Sequence, residues 1–182
     1  KTEEVPMKHR ILAILLLAAC LLTLLPATAM AVPETETRSK GGKLIALTFD
    51  DGPGPYTRRL LEGLAKRGVK ATFFMLGQQA ENYDVTAGLV RDAGHQIASH
   101  TYDHPQLSKK TDSQVTWQIS HTADILNGIT GYGTHYLVRP PYGDYNSRVL
   151  SLLDNPAILW SVDPLDWKYR NADTVRDRKS VV

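Results

Sequence analysis

The feature that most constrains this chain is an alternation. Short apolar runs that stop at polar or Gly-Pro residues are each followed by a segment with helical spacing. Residues 43–49 form a continuous apolar run ending at Asp50, which suits a parallel strand buried on both faces. Residues 57–67 carry Leu60, Leu61 and Leu64 on one face and stop before Gly68, the pattern of a helix with a glycine just past its end. Residues 69–76, rich in Phe and β-branched types, read as a second strand, 82–93 as a helix closed by Gly94, and 95–99 as a third strand. Asp112 is the expected N-cap of a long helix to about Ile129, with Val115, Ile119, Ala123 and Leu126 along one side. A fourth strand at 136–138, a helix at 146–153 and a fifth strand at 157–162 follow, and a further helix opens near Asp173. Repeated strand–loop–helix units predict an α/β fold with a parallel sheet, open or closed into a barrel.

The first thirty residues do not belong to that pattern. Met7-Lys8-His9-Arg10 is a short basic segment, followed by the apolar run 11–25 and by two overlapping A-x-A patterns at 27–29 and 29–31. This is the layout of a secretory signal peptide, too short for a membrane span of about 20 residues. Residues 1–31 are therefore expected to be a leader starting at Met7, and 32–42 a polar linker before a folded domain at 43–182. The expected location is outside the cell or in its envelope. Leu17-Ala18-Ala19-Cys20 offers a second possibility, lipoprotein anchoring at Cys20, but the cysteine sits inside the apolar run rather than after it. With the only cysteine in that leader, the body has no thiol for a disulfide, a nucleophile or a ligand. Lys plus Arg number 21 against 19 Asp plus Glu, a balance that gives no reason to expect a nucleic-acid partner. No stable protein partner is implied either.

In parallel α/β folds the chemistry gathers at the C-terminal ends of strands. After the first strand come Asp50 and Asp51 before Gly52-Pro53, two carboxylates that repel unless a cation or other partner separates their roles. After the third come His100 and His104, a spacing that on a helical turn would direct both imidazoles to one metal ion. The pair lacks the glutamate of the H-E-x-x-H metalloproteases. After the fourth come Arg139-Pro140-Pro141-Tyr142, where the prolines would hold Arg139 and the Tyr142 amide in place. After the fifth come Asp163, Asp166 and Trp167, an aspartate beside a flat indole of the kind that faces sugars.

Together, and in this order, these four segments resemble the polysaccharide deacetylase family, the NodB-homology domain of a carbohydrate esterase family. Its T-F-D-D-G-P motif is matched by residues 48–53, H-S/T-x-x-H by 100–104, R-x-P-Y by 139–142 and D-x-x-D-W by 163–167. The resemblance implies a distorted (β/α) barrel that removes acetyl groups from N-acetylated polysaccharides or oligosaccharides, usually with Zn2+ and with other divalent transition metals acceptable. It implies that Asp51, His100 and His104 bind the metal and that Asp50 is the general base. Arg139 would hold Asp50, and the Tyr142 amide would stabilise the oxyanion. Pro141, Tyr142 and Trp167 would line the substrate pocket, and Asp166 would orient the catalytic acid.

One family motif has no match. The L-x-H whose histidine protonates the leaving amine does not follow Trp167, and His9, His95, His121 and His135 lie in no such setting. An eight-unit barrel takes about 250 residues, and the residues after the leader suffice for about five units of roughly 31. The domain is therefore expected to lack its last strands, and the chain as it stands to be weak or inactive. The substrate expectation is N-acetylglucosamine residues of peptidoglycan or chitin oligomers. O-acetyl esterase activity on xylan and non-catalytic, zinc-dependent sugar binding are the alternatives.

Overall fold

The computed structural model describes residues 45–133, 135–173 and 175. The leader and linker, and most of the helix expected near Asp173, lie outside the described residues. Three parallel strands, β1 (Thr48–Gly52), β2 (Thr72–Met75) and β3 (Gln96–Ser99), form a sheet in the order β1-β2-β3. Between them run α1 (Thr57–Ala65), α2 (Gly77–Asn82) and α3 (Asp84–Asp92), and after them α4 (Asp112–Thr130) and the single turn α5 (Ser147–Leu150). Val138 forms a parallel bridge with Ser99 on one side and with Ala157 on the other. Each successive segment therefore lies beside its predecessor, so the sheet advances in one direction, as in a (β/α) barrel, and does not turn back as a doubly wound sheet does. Among the described residues, no helix is long and apolar enough to cross a membrane.

The core lies between the sheet and its helices. Phe73, Met75 and Ile97 from the strands meet Leu64, Ala87, Val90, Ala123 and Leu126 from α1, α3 and α4. The helices end as their sequences require. After α1, Gly68 has φ +62° and donates to the Ala65 carbonyl while Val69 donates to Leu64, and Gly94 and His95 bond to Arg91 and Val90 in the same way after α3. Paired bonds of this kind satisfy the last carbonyls of a helix.

Several expectations are corrected. The apolar run before Asp50 is not buried on both faces: Ile45 is 83% and Leu47 38% exposed, and neither belongs to β1. Within the described residues β1 is an edge strand, paired only with β2, and its pairing starts where the Thr72 N–H reaches the Leu47 carbonyl. The expected strands at 136–138 and 157–162 reduce to the single bridges at Val138 and Ala157. The helix at 146–153 is shortened to α5, capped by the Asn146 side chain on the Val149 N–H. The N-cap of α4 is Thr111, not Asp112. Thr111 Oγ1 accepts from the Gln114 N–H and Gln114 Oε1 accepts from the Thr111 N–H, a reciprocal box that one more residue of offset makes possible. Asp112 instead sits in the first turn and pairs with Arg148 at 2.5 Å. Helix α2, which starts at Gly77, is not among the expected elements. That glycine is required by close approach, since a Cβ there would lie 2.8 Å from both Thr122 Oγ1 and the Tyr102 ring.

His95 ties α3 to the sheet. It is buried, and its Nδ1 accepts the Ala71 N–H at 3.2 Å, so the ring is neutral with its proton on Nε2. Burial, and then the charge of Lys70, hold its pKa below the ordinary 6.5. The unfolded chain therefore binds a proton that the folded chain resists, and stability present above about pH 6.5 is lost as pH falls below it. His95→Asn, whose Oδ1 can accept the same N–H without titrating, is expected to lose less stability than wild type between about pH 7.5 and 5.5. Chemical denaturation at both pH values measures the difference, and equal losses would rule this account out.

Candidate active site and metal centre

The site is assembled at the C-terminal end of the sheet, where three loops converge. In β1 the register slips between Asp50 and Gly52, leaving Asp51 as the extra residue of a bulge. In an unbroken strand neighbouring side chains point to opposite faces. Asp51, at φ +65°, breaks that rule and is released towards the His100–His104 loop. The two adjacent carboxylates thus acquire different partners.

Asp50 is paired with Arg139, its Oδ1 lying 2.6 Å from Nη1. The same nitrogen reaches Thr48 Oγ1 at 2.9 Å, while Nε and Nη2 donate to the Ile158 and Leu159 carbonyls. The guanidinium carbon stands 3.9 Å over the Phe74 ring, and Arg139 is only 3% exposed. Burial raises the Asp50 pKa above the ordinary carboxylate value, against the pull of His100 and Arg139. The raised value makes Asp50 a stronger base than a free carboxylate, and the fixed cation beside it favours the ionised form.

Asp51 meets the histidines. Its Oδ1 lies 3.5 Å from Nε2 of both His100 and His104, and the three ligand atoms fall within 4.8 Å of one another. Donors bound tetrahedrally at about 2.0–2.1 Å from a zinc ion lie roughly 3.4 Å apart, a spacing that the two 3.5 Å separations from Asp51 match. The orientation fits as well. His100 Nδ1 lies 2.7 Å from the Arg139 carbonyl and donates to it, which leaves the Nε2 lone pair directed at the cluster. Burial also lowers the His100 pKa and favours the neutral ring that a metal requires.

The histidines are not on a helical turn, as their spacing suggested. Thr101 and His104 both adopt left-handed backbone conformations, at φ +70° and +63°. The loop is held from outside by α2, whose first N–H groups, on Gly77 and Gln78, donate to the Thr101 and Tyr102 carbonyls, and by Gln118 of α4, whose Oε1 accepts from Tyr102 N–H. Tyr142, at φ +60°, lays its ring against that of His104 at 4.5 Å, a contact the sequence did not reveal. Pro141 beside it is buried, and the Tyr142 N–H takes no part in the turn bonds made by Gly143 and Asp144. Around Asp163–Trp167 the bonds stay local. Asp163 accepts the Leu165 N–H, Asp166 accepts the Trp167 N–H, and the Trp167 side chain stands 68% exposed. The structure therefore gathers Asp50, Asp51, His100, His104, Arg139 and Tyr142 but records no contact from Asp166 or Trp167 to them.

Among the described residues, the non-glycine positions with positive φ are Asp51, Thr101, His104, Tyr142 and Leu165. All lie within the four motifs. Such conformations cost about 1–3 kcal/mol each and persist where the surroundings over-determine them, commonly at functional sites. Thr101 adds a second cost, because its buried hydroxyl has no hydrogen-bond partner. Thr48, Phe74 and the Arg139 carbonyl are the supporting groups that sequence reasoning missed. The apolar or backbone character of the latter two gives no signal, whereas Thr48 was visible inside the first motif.

Fold and site together define a class: a one-directional α/β protein with an Asp–His–His cluster at its strand ends whose donors could hold one metal ion. Within that class, residues 37–156 match the polysaccharide deacetylase family, and the chain belongs to it. It is 41% identical over 150 residues to the peptidoglycan-N-acetylmuramic acid deacetylase PdaC of Bacillus subtilis, covering 82% of this chain and 32% of that one. To the peptidoglycan-N-acetylglucosamine deacetylase PgdA of Listeria monocytogenes it is 44% identical over 152 residues, covering 81% and 32%. The solved structure of the Bacillus subtilis PdaC deacetylase superposes with a TM-score of 0.73 at 42% identity, over 76% of this chain and 68% of that one. The chain thus spans about a third of the length of these two curated relatives.

His104→Ala removes one of three donors while leaving the buried His100–Arg139 bond intact. Zinc affinity, measured by titration against a competing chelator, is expected to fall by about 100-fold or more, with the helical circular dichroism unchanged. An unchanged affinity would exclude the cluster as the metal centre.

Proposed function

We propose that the chain hydrolyses the acetamido groups of N-acetylated polysaccharide, with N-acetylglucosamine residues of peptidoglycan as the substrate and chitin oligomers as its soluble counterpart. The observation that carries this reading is the division of labour between Asp50 and Asp51, one carboxylate held by a buried arginine and its neighbour placed among two imidazoles. The names of the related proteins supply the substrate class. The leader expected at residues 1–31 would deliver the chain to the cell envelope, where that polymer lies.

Asp51, His100 and His104 would hold a zinc ion, which when bound supplies Lewis acidity to the acetamide carbonyl and to water. Asp50, freed from ligation by its pairing with Arg139, takes the proton of the attacking water. Arg139 keeps Asp50 ionised and fixes its direction through the bonds to Thr48 and the 158–159 backbone. The Tyr142 N–H, presented by the left-handed turn after Pro141, donates to the oxygen on which charge develops, an interaction often worth about 3–4 kcal/mol. Pro141 and the Tyr142 ring form one wall of the acetyl pocket and Trp167 the other. No further acid is recorded at the cluster among the described residues, so the proton that Asp50 takes from water is the one it passes on to the departing amine.

Asp50→Asn is expected to lower acetate release from N-acetylglucosamine oligomers by about 10²–10⁴-fold while zinc affinity stays within a few-fold of wild type. Retained activity would sink the assignment of the base. Arg139→Met removes a group that lowers the Asp50 pKa. Because the base must be unprotonated, the acid limb of kcat/KM should move to higher pH in that variant. A limb that stays in place or moves to lower pH contradicts the role given to Arg139.

A further inference from the structure

Beside the His100–His104 loop lies an open depression of about 310 Å³ that the chemistry above does not use. Its lining is Asp103, Lys110, Ser113, Gln114, Trp117 and Gln118. The volume is at the lower end of the roughly 300–1,000 Å³ of small-molecule sites. Trp117 is 47% exposed although it belongs to the long helix α4. Its ring is not free to move. His121 stacks on it at 4.8 Å, and Tyr102 meets it edge-on at 5.1 Å. Tyr102 is itself anchored by its hydroxyl on Glu81 at 2.9 Å and by its N–H on Gln118 at 2.8 Å.

The result is a rigid indole surface with polar groups of both kinds beside it. Asp103 accepts from Gln118 Nε2 through one oxygen at 2.7 Å, so the carboxylate is oriented. Gln114 uses its Oε1 on the Thr111 N–H and so keeps its amide NH2 as a donor, and Lys110 and Ser113 add an ammonium and a hydroxyl. A flat apolar plate flanked by donors and acceptors suits a pyranose ring, whose C–H face packs on an aromatic while its hydroxyls bond at the rim. A stem peptide carries charges of both signs and could meet the mixed rim, but it has no saturated ring face to lie on the indole. Asp103 directly precedes His104 in the chain, so one wall of the depression belongs to the loop that carries the two histidines.

We propose that this depression is a glycan subsite, binding a sugar unit of the polysaccharide strand away from the acetamido group being cleaved, with Trp117 as its platform. The proposal rests on the function given above for the substrate class, but its test reads binding independently of turnover.

The experiment compares the full-length zinc-loaded wild type with Trp117→Ala and Trp117→Phe by calorimetric titration of an N-acetylglucosamine hexamer. Kinetics follow on the hexamer and on a small acetyl ester. The alanine variant should bind the hexamer about 10-fold more weakly and the phenylalanine variant within about 3-fold of wild type. If acetate is released, KM for the hexamer should rise about 10-fold in Trp117→Ala with kcat, and turnover of the small ester, unchanged. Lys110→Ala, which leaves the aromatic cluster intact, should weaken hexamer binding about 3-fold and guards against misfolding of the tryptophan variants. Equal affinity of wild type and Trp117→Ala overturns the proposal, as does failure of the wild type to bind the hexamer, or binding of a stem peptide in its place. Hexamer binding that depends on Trp117 but without acetate release leaves the subsite standing and removes the catalytic reading.

Discussion

The pairing of Arg139 with Asp50 is the interaction on which the rest of the site depends. A guanidinium that is 3% exposed must have its charge and its donors satisfied, or its burial costs several kcal/mol. Here it spans the sheet. Its side chain binds Thr48 and Asp50 on β1 and the Ile158 and Leu159 carbonyls beyond the Val138–Ala157 bridge, while it lies flat on Phe74 of β2. Its own carbonyl then sets the tautomer of His100. One residue thus fixes the direction of the general-base candidate and of a metal-ligand candidate. A lysine could replace the charge but not the fork of donors that joins these segments.

The surrounding helices serve that arrangement. Helix α2, unusual in starting at a glycine, brings its N-terminal amides against the carbonyls of Thr101 and Tyr102, and α4 contributes Gln118 from the other side. The loop carrying both histidines is therefore clamped between two helices and is not left to find its shape from its own sequence. The approach to β1 is different. Apolar Ile45 and Leu47 are exposed beside β1, which pairs only with β2 among the described residues. The end of β1 that carries Asp50 and Asp51 is thus tied to neighbouring loops, whereas the residues that lead into the strand are open to solvent.

Much of this was legible in the residues. Helices α1, α3 and α4 followed from apolar spacing and from glycines placed just past helix ends, and the polar residues at strand ends pointed to the right loops. The errors share a physical cause, the dependence of strands on partners. Residues 136–138 and 157–162 have strand-like composition but find only one bridging position each, at Val138 and Ala157. The apolar run before Asp50 becomes a strand only from Thr48, where β2 is available to pair. The imidazole spacing of four was read as helical, whereas two left-handed residues bring the rings together by another route. The Thr111 cap was within reach, because Thr111 and Gln114 form the T-x-x-Q pattern of a capping box, whereas the Tyr142 ring contact depends on a backbone angle that side-chain pattern does not encode.

The left-handed residues have a consequence for how such a chain ages. At roughly 1–3 kcal/mol each, Asp51, Thr101, His104, Tyr142 and Leu165 together cost about as much as the whole net stability of a typical small domain. Only use justifies that expense. A copy relieved of its task gains stability whenever one of these positions drifts to glycine or asparagine, so mutation alone would erode them sooner than it erodes the core. The five positions are therefore those where substitution by glycine or asparagine would relax the backbone at the expense of the loops that carry the motifs.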